Sequence, residues 1–183
     1  MAATVILNRL TGAGPTLTPI TGGNTRASTS DNPYTTETTN PIPIPTGADK
    51  FSFWVVTRPE VTVAPTGTLN NLKWYTDGAS GFGTGVTCKA ADASVYDQAT
   101  GTQGDTGTEL TVANYGNGTT DLNAAPLEVF ANFTSGSPLS VAGSTTTTSS
   151  TFADMVVYQI IVANTASAGT LTAETFTWQY DET

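Results

Sequence analysis

An all-β fold is what this sequence predicts: an antiparallel β-sandwich, immunoglobulin-like or jelly-roll, carrying an extended N-terminal arm. Three observations lead there. Threonine fills about a fifth of the 183 positions. Charged residues make up only 11%, and histidine is absent. Short apolar tracts alternate at period two and are separated by Gly, Pro, Asn and Asp at sandwich spacing. Threonine is stiff at χ1 and suits a pleated surface that must be polar without being charged.

The length fits one ordinary domain, and a chain of this size buries roughly 70% of its unfolded surface without a disulfide or metal staple. With 38% hydrophobic residues, 18 glycines and 10 prolines, many turns and long irregular connections are expected.

Residues 1–49 read as the arm and residues 50–183 as the sandwich. Within the arm, Thr4 to Leu7 and Thr16 to Ile20 are short strand candidates. Gly22-Gly23-Asn24 and the tract Thr25 to Asn40 are nearly all small and polar. In Pro41-Ile42-Pro43-Ile44-Pro45 the alternating prolines remove amide donors, so the piece is extended and cannot be a central strand. It is either a linker laid on the surface or an arm docked on an adjacent subunit. In the second case Ile6, Leu7, Ile42 and Ile44 are the candidate interface residues.

From Lys50 the strand signal strengthens. Phe51, Phe53 and Val55 alternate with Ser52, Trp54 and Val56, as in a strand buried on both faces. The tract Leu69 to Tyr75 sets Leu72 and Trp74 against Lys73 and Tyr75. Asp77-Gly78 is a tight-turn signal, and a glycine-rich loop runs to Gly85. Val86 to Ala90 reads as a strand with Cys88 facing inward. Residues 91–107 read as a long exposed loop, with 91–99 the one plausible helical turn. Glu109 to Val112 is a short strand candidate, and Tyr115 to Gly118 a turn. Leu127, Val129, Ala131 and Phe133 alternate with Glu128, Phe130 and Asn132, the pattern of a strand. A short strand at Leu139 to Val141 and a threonine-rich loop over 143–151, flexible or at an edge, come next. Phe152 to Val162 is the most apolar run, and Met155 to Val162, rich in β-branched and aromatic residues, predicts a central strand. In the last strand Phe176, Trp178 and Tyr180 share a face. The total is about eight to ten strands.

The net charge of −9 argues against direct nucleic-acid binding, which depends on neutralising phosphates with Lys and Arg. Arg9, Arg26, Lys50, Arg58, Lys73 and Lys89 are scattered, so an anionic membrane surface is disfavoured too. No apolar run reaches the ~18 residues of a membrane helix. Met1 to Arg9 lacks the basic region and apolar run of a signal peptide, so synthesis in the cytosol is expected. The sequons at Asn117 and Asn132 would count only in a secretory route.

Without histidine there is no Ser-His-Asp triad, no Cys-His pair and no ordinary zinc site. The single Cys88 reads as a small core hydrophobe. Paired carboxylates remain conceivable from Asp77, Asp92, Asp97, Asp105, Glu109, Asp121, Glu128 and Glu174. Most sit in turn contexts where Asp bonds its own backbone, while Glu128 and Glu174 read as mid-strand residues on an outer face. The same loop carboxylates could ligate calcium, but they lack an EF-type pattern. Trp54, Trp74, Tyr75, Trp178 and Tyr180 could form a sugar-stacking platform; aromatics at period two in strands are more often core or subunit contact. No enzyme activity, cofactor or metal is expected.

The threonine-, glycine-, alanine- and asparagine-rich strands, the N-terminal arm and the tract Glu174-Thr175-Phe176-Thr177-Trp178-Gln179-Tyr180-Asp181-Glu182 give the chain a resemblance of type. It resembles phage and archaeal-virus virion proteins, namely capsid decoration proteins and sandwich-fold tail accessory domains. That resemblance implies a homo-oligomeric or lattice role in the virion, with a major capsid or tail protein as partner. Two other readings stay open. One is an extracellular filament or surface-layer subunit that donates residues 1–20 as a strand. The other is a carbohydrate-binding or adhesin module.

Overall fold

The structure, a computed structural model, describes residues 2–22, 25–32, 39–116 and 121–183. The small, polar tract 22–40, the expected turn at 115–118 and the Asn117 sequon lie partly or wholly outside the described residues.

The strands in chain order are β1 (Thr4–Thr11), β2 (Thr16–Pro19), β3 (Lys50–Phe51), β4 (Val55–Val63), β5 (Leu69–Tyr75) and β6 (Val86–Ala93). They continue with β7 (Gly101–Thr102), β8 (Thr106–Gly107), β9 (Leu127–Glu128), β10 (Leu139–Val141), β11 (Met155–Val162) and β12 (Thr177–Glu182). One helical turn, α1 (Val129–Asn132), follows β9. The larger sheet has the order β2-β1-β4-β11-β6-β9, with β3 also paired to β11. The smaller sheet is β10-β5-β12, and β7–β8 is a separate hairpin. All pairings between these strands are antiparallel. The fold is all-β and sandwich-like, as the sequence predicts.

The pairing also chooses between the two sandwich types. β4 pairs with β11 in the larger sheet, and β5 pairs with β10 in the smaller one. The chain therefore crosses between sheets after β4 and crosses back after β10. The two crossings run side by side, bridged at Val61–Ser149 and Leu69–Thr145. Two ribbons crossing together at one end is the pairing of a jelly roll, not of an immunoglobulin sandwich. The threonine-rich loop over 143–151 is thus tied down: Thr145 and Leu69 exchange both main-chain hydrogen bonds at 2.9 Å.

Strand β11 is buried along its whole length. Val156, Tyr158, Ile160 and Val162 pack with Leu69, Leu72 and Trp74 of the smaller sheet. Met155 and Val157 face the other way and meet Leu10, Trp54, Val56, Leu110, Tyr115 and Leu122. Residues 91–107 are an exposed loop only in part: Ser94, Val95 and 100–104 are exposed, while 91–93 complete β6. Asp92, Ala93 and Ala99 are buried, and this stretch helps close a second core on the outer face of the larger sheet. Gln159 fastens that layer to β11. Its amide oxygen accepts from Leu110 N–H (2.6 Å), and its Nε2 donates to the carbonyls of Ser52 (2.7 Å) and Thr108 (2.8 Å). Leu110 is held by this side chain, so the strand expected at 109–112 has no ladder to join.

The first strand, expected as part of an arm, is an interior strand of the larger sheet, bonded to β2 on one side and β4 on the other. The boundary at residue 49 does not separate it from the sandwich. β4 runs to Val63 through Pro59, which sits opposite Leu7. Leu7 turns its main-chain groups toward β2, accepting from Ile20 N–H and donating to the Thr21 hydroxyl. No amide is needed from Pro59 on the β1 side, and β11 pairs only with Val55–Thr57, so its missing donor costs nothing.

Two irregularities redirect side chains. β3 and β4 both follow β11, with the extra residue absorbed at Ser52–Trp54, and Ser52 Oγ accepts from Ile160 N–H (3.0 Å). In β5, Asn71 has φ 52° and adds a residue opposite β12, so Leu69 and Leu72 both face the core although three apart. The strand expected over 127–133 is also corrected: after β9 the chain turns helically. Glu128 caps that turn, its carboxylate accepting from Ala131 N–H (2.8 Å), and Val129, Phe130 and Phe133 all reach the core.

The variant Gln159→Leu removes the bonds of three buried main-chain groups and is expected to cost about 3 kcal/mol in urea denaturation followed by tryptophan fluorescence. Stability within about 0.5 kcal/mol of the parent would contradict the role assigned to this side chain.

Candidate functional site

The smaller sheet covers only part of the larger one, and a cleft of about 980 Å³ opens beside it. Thr57, Tyr158, Ile160 and Val162 form part of its lining from β4 and β11. Trp74 and Trp178 line it from the smaller sheet, with Phe176 just before β12. A strap of Thr25–Ser28 with Pro41, Ile42 and Ile44 walls one side, and residues 166–174 another. The aromatic rings interlock. Phe176 lies 4.9 Å from Trp74 and 5.0 Å from Tyr158, and Trp74 stacks on Tyr158 at 6.5 Å.

Three of the four candidate interface residues, Leu7, Ile42 and Ile44, meet at this cleft. Ile6 does not: it pairs opposite Glu60 and points to the other side of the sheet from Leu7. The aromatic candidates also separate. Trp54 and Trp74 are fully buried, Trp178 is half-buried at the cleft, and Tyr180 is exposed. Tyr75 is half-buried on the opposite face from Trp74.

Sequence reasoning missed Arg9. It lies in β1 opposite Thr57, on the face that Leu7 and Thr57 present to the cleft. Its side chain is 1% exposed. Nη1 donates to Thr25 Oγ1 (2.8 Å) and the Arg26 carbonyl (2.7 Å), while Nε and Nη2 are buried without a partner. Burial lowers its pKa, and Tyr158, Asp31 and Tyr96 act in the opposite direction. A lone arginine within Val5-Ile6-Leu7-Asn8-Arg9-Leu10 was the available signal.

The candidate carboxylates are mostly taken up locally, although Asp97 and Asp121 both lie beside Gly116 and Tyr115. Asp77 Oδ1 accepts from Ala79 N–H (2.9 Å), the turn role its context predicts. Asp97 accepts from Gly116 N–H (2.9 Å), Asp105 pairs with Lys50 (2.5 Å) and Glu109 with Lys89 (3.4 Å). Asp121 is buried. Glu128 caps α1 instead of sitting mid-strand, and Glu174 precedes β12, where its carboxylate accepts from Gly81 N–H. Glu182 accepts from Ala3 and Thr66 N–H (both 2.8 Å), and these amides hold its carboxyl below the usual range. Among the described residues no group of three or more His, Cys, Asp or Glu is placed to hold a metal ion. Cys88 is fully buried, and burial pushes its thiol pKa up. Asn132 spends its amide on the Glu128 carbonyl (2.8 Å). Among the described residues no helix is long and apolar enough to cross a membrane. No family model, curated protein or solved structure matches this chain.

Among the described residues Asp92 is the carboxyl whose pKa burial raises. Asn123 Nδ2 donates to Asp92 (2.5 Å) and to Asp154 (3.0 Å). Burial pushes the Asp92 pKa from 3.8 up to about 6; the Asn123 bond opposes the shift and Asp154 adds to it. A folded value above the unfolded one means its contribution to stability is fully present below 3.8 and is lost as pH rises through about 6. The variant Asp92→Asn is therefore expected to gain Tm relative to the parent as pH rises across that window, measured by calorimetry at matched ionic strength. A Tm difference that stays constant with pH would rule this out.

Proposed function

We propose that this chain is a non-enzymatic structural protein of a virus particle, a capsid decoration, minor capsid or tail subunit. It coats or stabilises the particle through contacts with its own copies and with a major capsid or tail protein. The carrying observation is the jelly-roll pairing of β4 and β5 with β11 and β10, an architecture shared by capsid and lectin domains. Fold by itself does not assign function, so the chemistry has to agree. Seven of the eight candidate carboxylates hold amides or pair with lysines, and Asp121 is buried. The exposed surface is supplied largely by threonine, serine and glycine, which keep it polar with few ionic groups.

Two observations weigh against the other readings. β1 is hydrogen-bonded on both sides within its own chain, so residues 1–20 are not free to act as a donor strand. Of the aromatic candidates for a sugar platform, Trp54 and Trp74 are fully buried, which leaves Tyr75, Trp178 and Tyr180 accessible on separate parts of the smaller sheet.

Cryo-electron microscopy of native particles, combined with mass photometry of the purified chain, tests the proposal. The expected result is sandwich-shaped density repeated in a lattice on a shell or tail. A purified monomer with no affinity for any particle would overturn it.

A further inference from the structure

The cleft beside the smaller sheet combines two features that a structural subunit does not require. Its lining is only a little more than half apolar, with Ile42, Phe176 and Trp178 beside Thr25, Ser28, Thr57 and Glu174, and it is open. Ile44 (38% exposed) and Leu171 (36% exposed) both line it, and its volume of about 980 Å³ lies within the range of small-molecule sites. Beside this space sits a buried cation with spare donors.

A guanidinium stays protonated, so Arg9 keeps its charge although burial disfavours it. Leaving donors of a buried charge unpaired is costly, and the group that satisfies them best is an anion. Asp31, the nearest acid acting on Arg9, already accepts from Gly12 N–H (2.8 Å) and Gln98 (2.9 Å). Arg9 does not itself line the cleft; it lies behind residues that do, namely Thr57 across the ladder, Leu7 two residues back, and Thr25 and Arg26 at its tip. Tyr158, on the same face, lines the cleft within electrostatic reach of Arg9. Burial keeps the Tyr158 hydroxyl protonated, and so a donor.

We propose that this cleft binds a long-chain monocarboxylate, its head received by Arg9 and Tyr158 and its acyl chain lying against Ile42, Phe176 and Trp178. A bidentate guanidinium matches a carboxylate in shape as well as charge. Glu174 also lines the cleft and disfavours an anionic head beside it, so the head is directed to the Arg9 region. This binding does not depend on the particle role: a surface subunit can carry a lipid, and so can a free protein.

The test titrates the intact chain with oleate and with methyl oleate, both below aggregation, reading tryptophan fluorescence and calorimetric heat. Oleate is expected to saturate at about one molecule per chain and to bind at least about tenfold tighter than the ester, the size of a hydrogen bond to a charged group. Arg9→Met should remove most of that preference, weakening oleate at least about tenfold more than the ester. Replacing a buried charge by an apolar side chain is often tolerated in folding. If that variant does not fold, Tyr158→Phe, which keeps the ring packing, should weaken oleate but not the ester. Equal affinity for acid and ester, an unchanged preference in a folded Arg9→Met chain, or no saturable binding of either ligand would each overturn the proposal.

Discussion

A strand buried on both faces persists only where both faces are covered, and β11 imposes that condition on this protein. Eight consecutive apolar or amide side chains leave it no solvent side. One face is closed by the three-stranded sheet through Trp74, Leu72 and Leu69. The other is closed by irregular chain, which has no regular ladder of its own and must find partners for its main-chain groups. Gln159 supplies them: one side chain pairs three backbone groups from two segments, and those segments seal the core around Trp54 and Tyr115, whose rings lie 5.3 Å apart.

The unequal widths of the two sheets follow from the same layout. Strands β1 and β2 extend the larger sheet, while the smaller stops at β12. The uncovered face is flanked by the strap around Ile42 and the segment 166–174, and that is where the cleft opens. Glu182 spans the gap near one margin by accepting from Ala3 and Thr66, so β12 and the start of β1 are held together by charge-assisted bonds where apolar packing is thin.

Much of the strand content was legible because alternation follows directly from the pleat. Met155 to Val162 reads as central and is central; Leu72 and Trp74 share the inward face as their spacing requires. The misses have physical causes. Residues 127–133 alternate as a strand does, but Val129, Phe130 and Phe133 also satisfy a helical turn, and the Glu128 cap selects it. The strand expected to end at Leu7 runs on to Thr11 through Asn8 and Arg9, polar residues that are both buried in the fold. The tract 91–107 lacks periodicity, and burial of irregular chain leaves no local trace. Of the candidate site, the apolar anchors Leu7, Ile42 and Ile44 could be named, but nothing local joined them to Phe176 and Trp178.

Local sequence alone determined the fold class, the identity of the central strand, the burial of Cys88 and the absence of imidazole chemistry. These depend on composition and on period-two patterning, which act through neighbours in the chain. Only the tertiary structure decided which sandwich this is, because strand order is set by which ribbons cross together and not by any one strand. It alone decided that Arg9 would be buried within electrostatic reach of Tyr158 and that a cleft would open nearby. Those are long-range contacts between β1, β4 and β11, and their energy comes from burial shared by segments far apart in the chain.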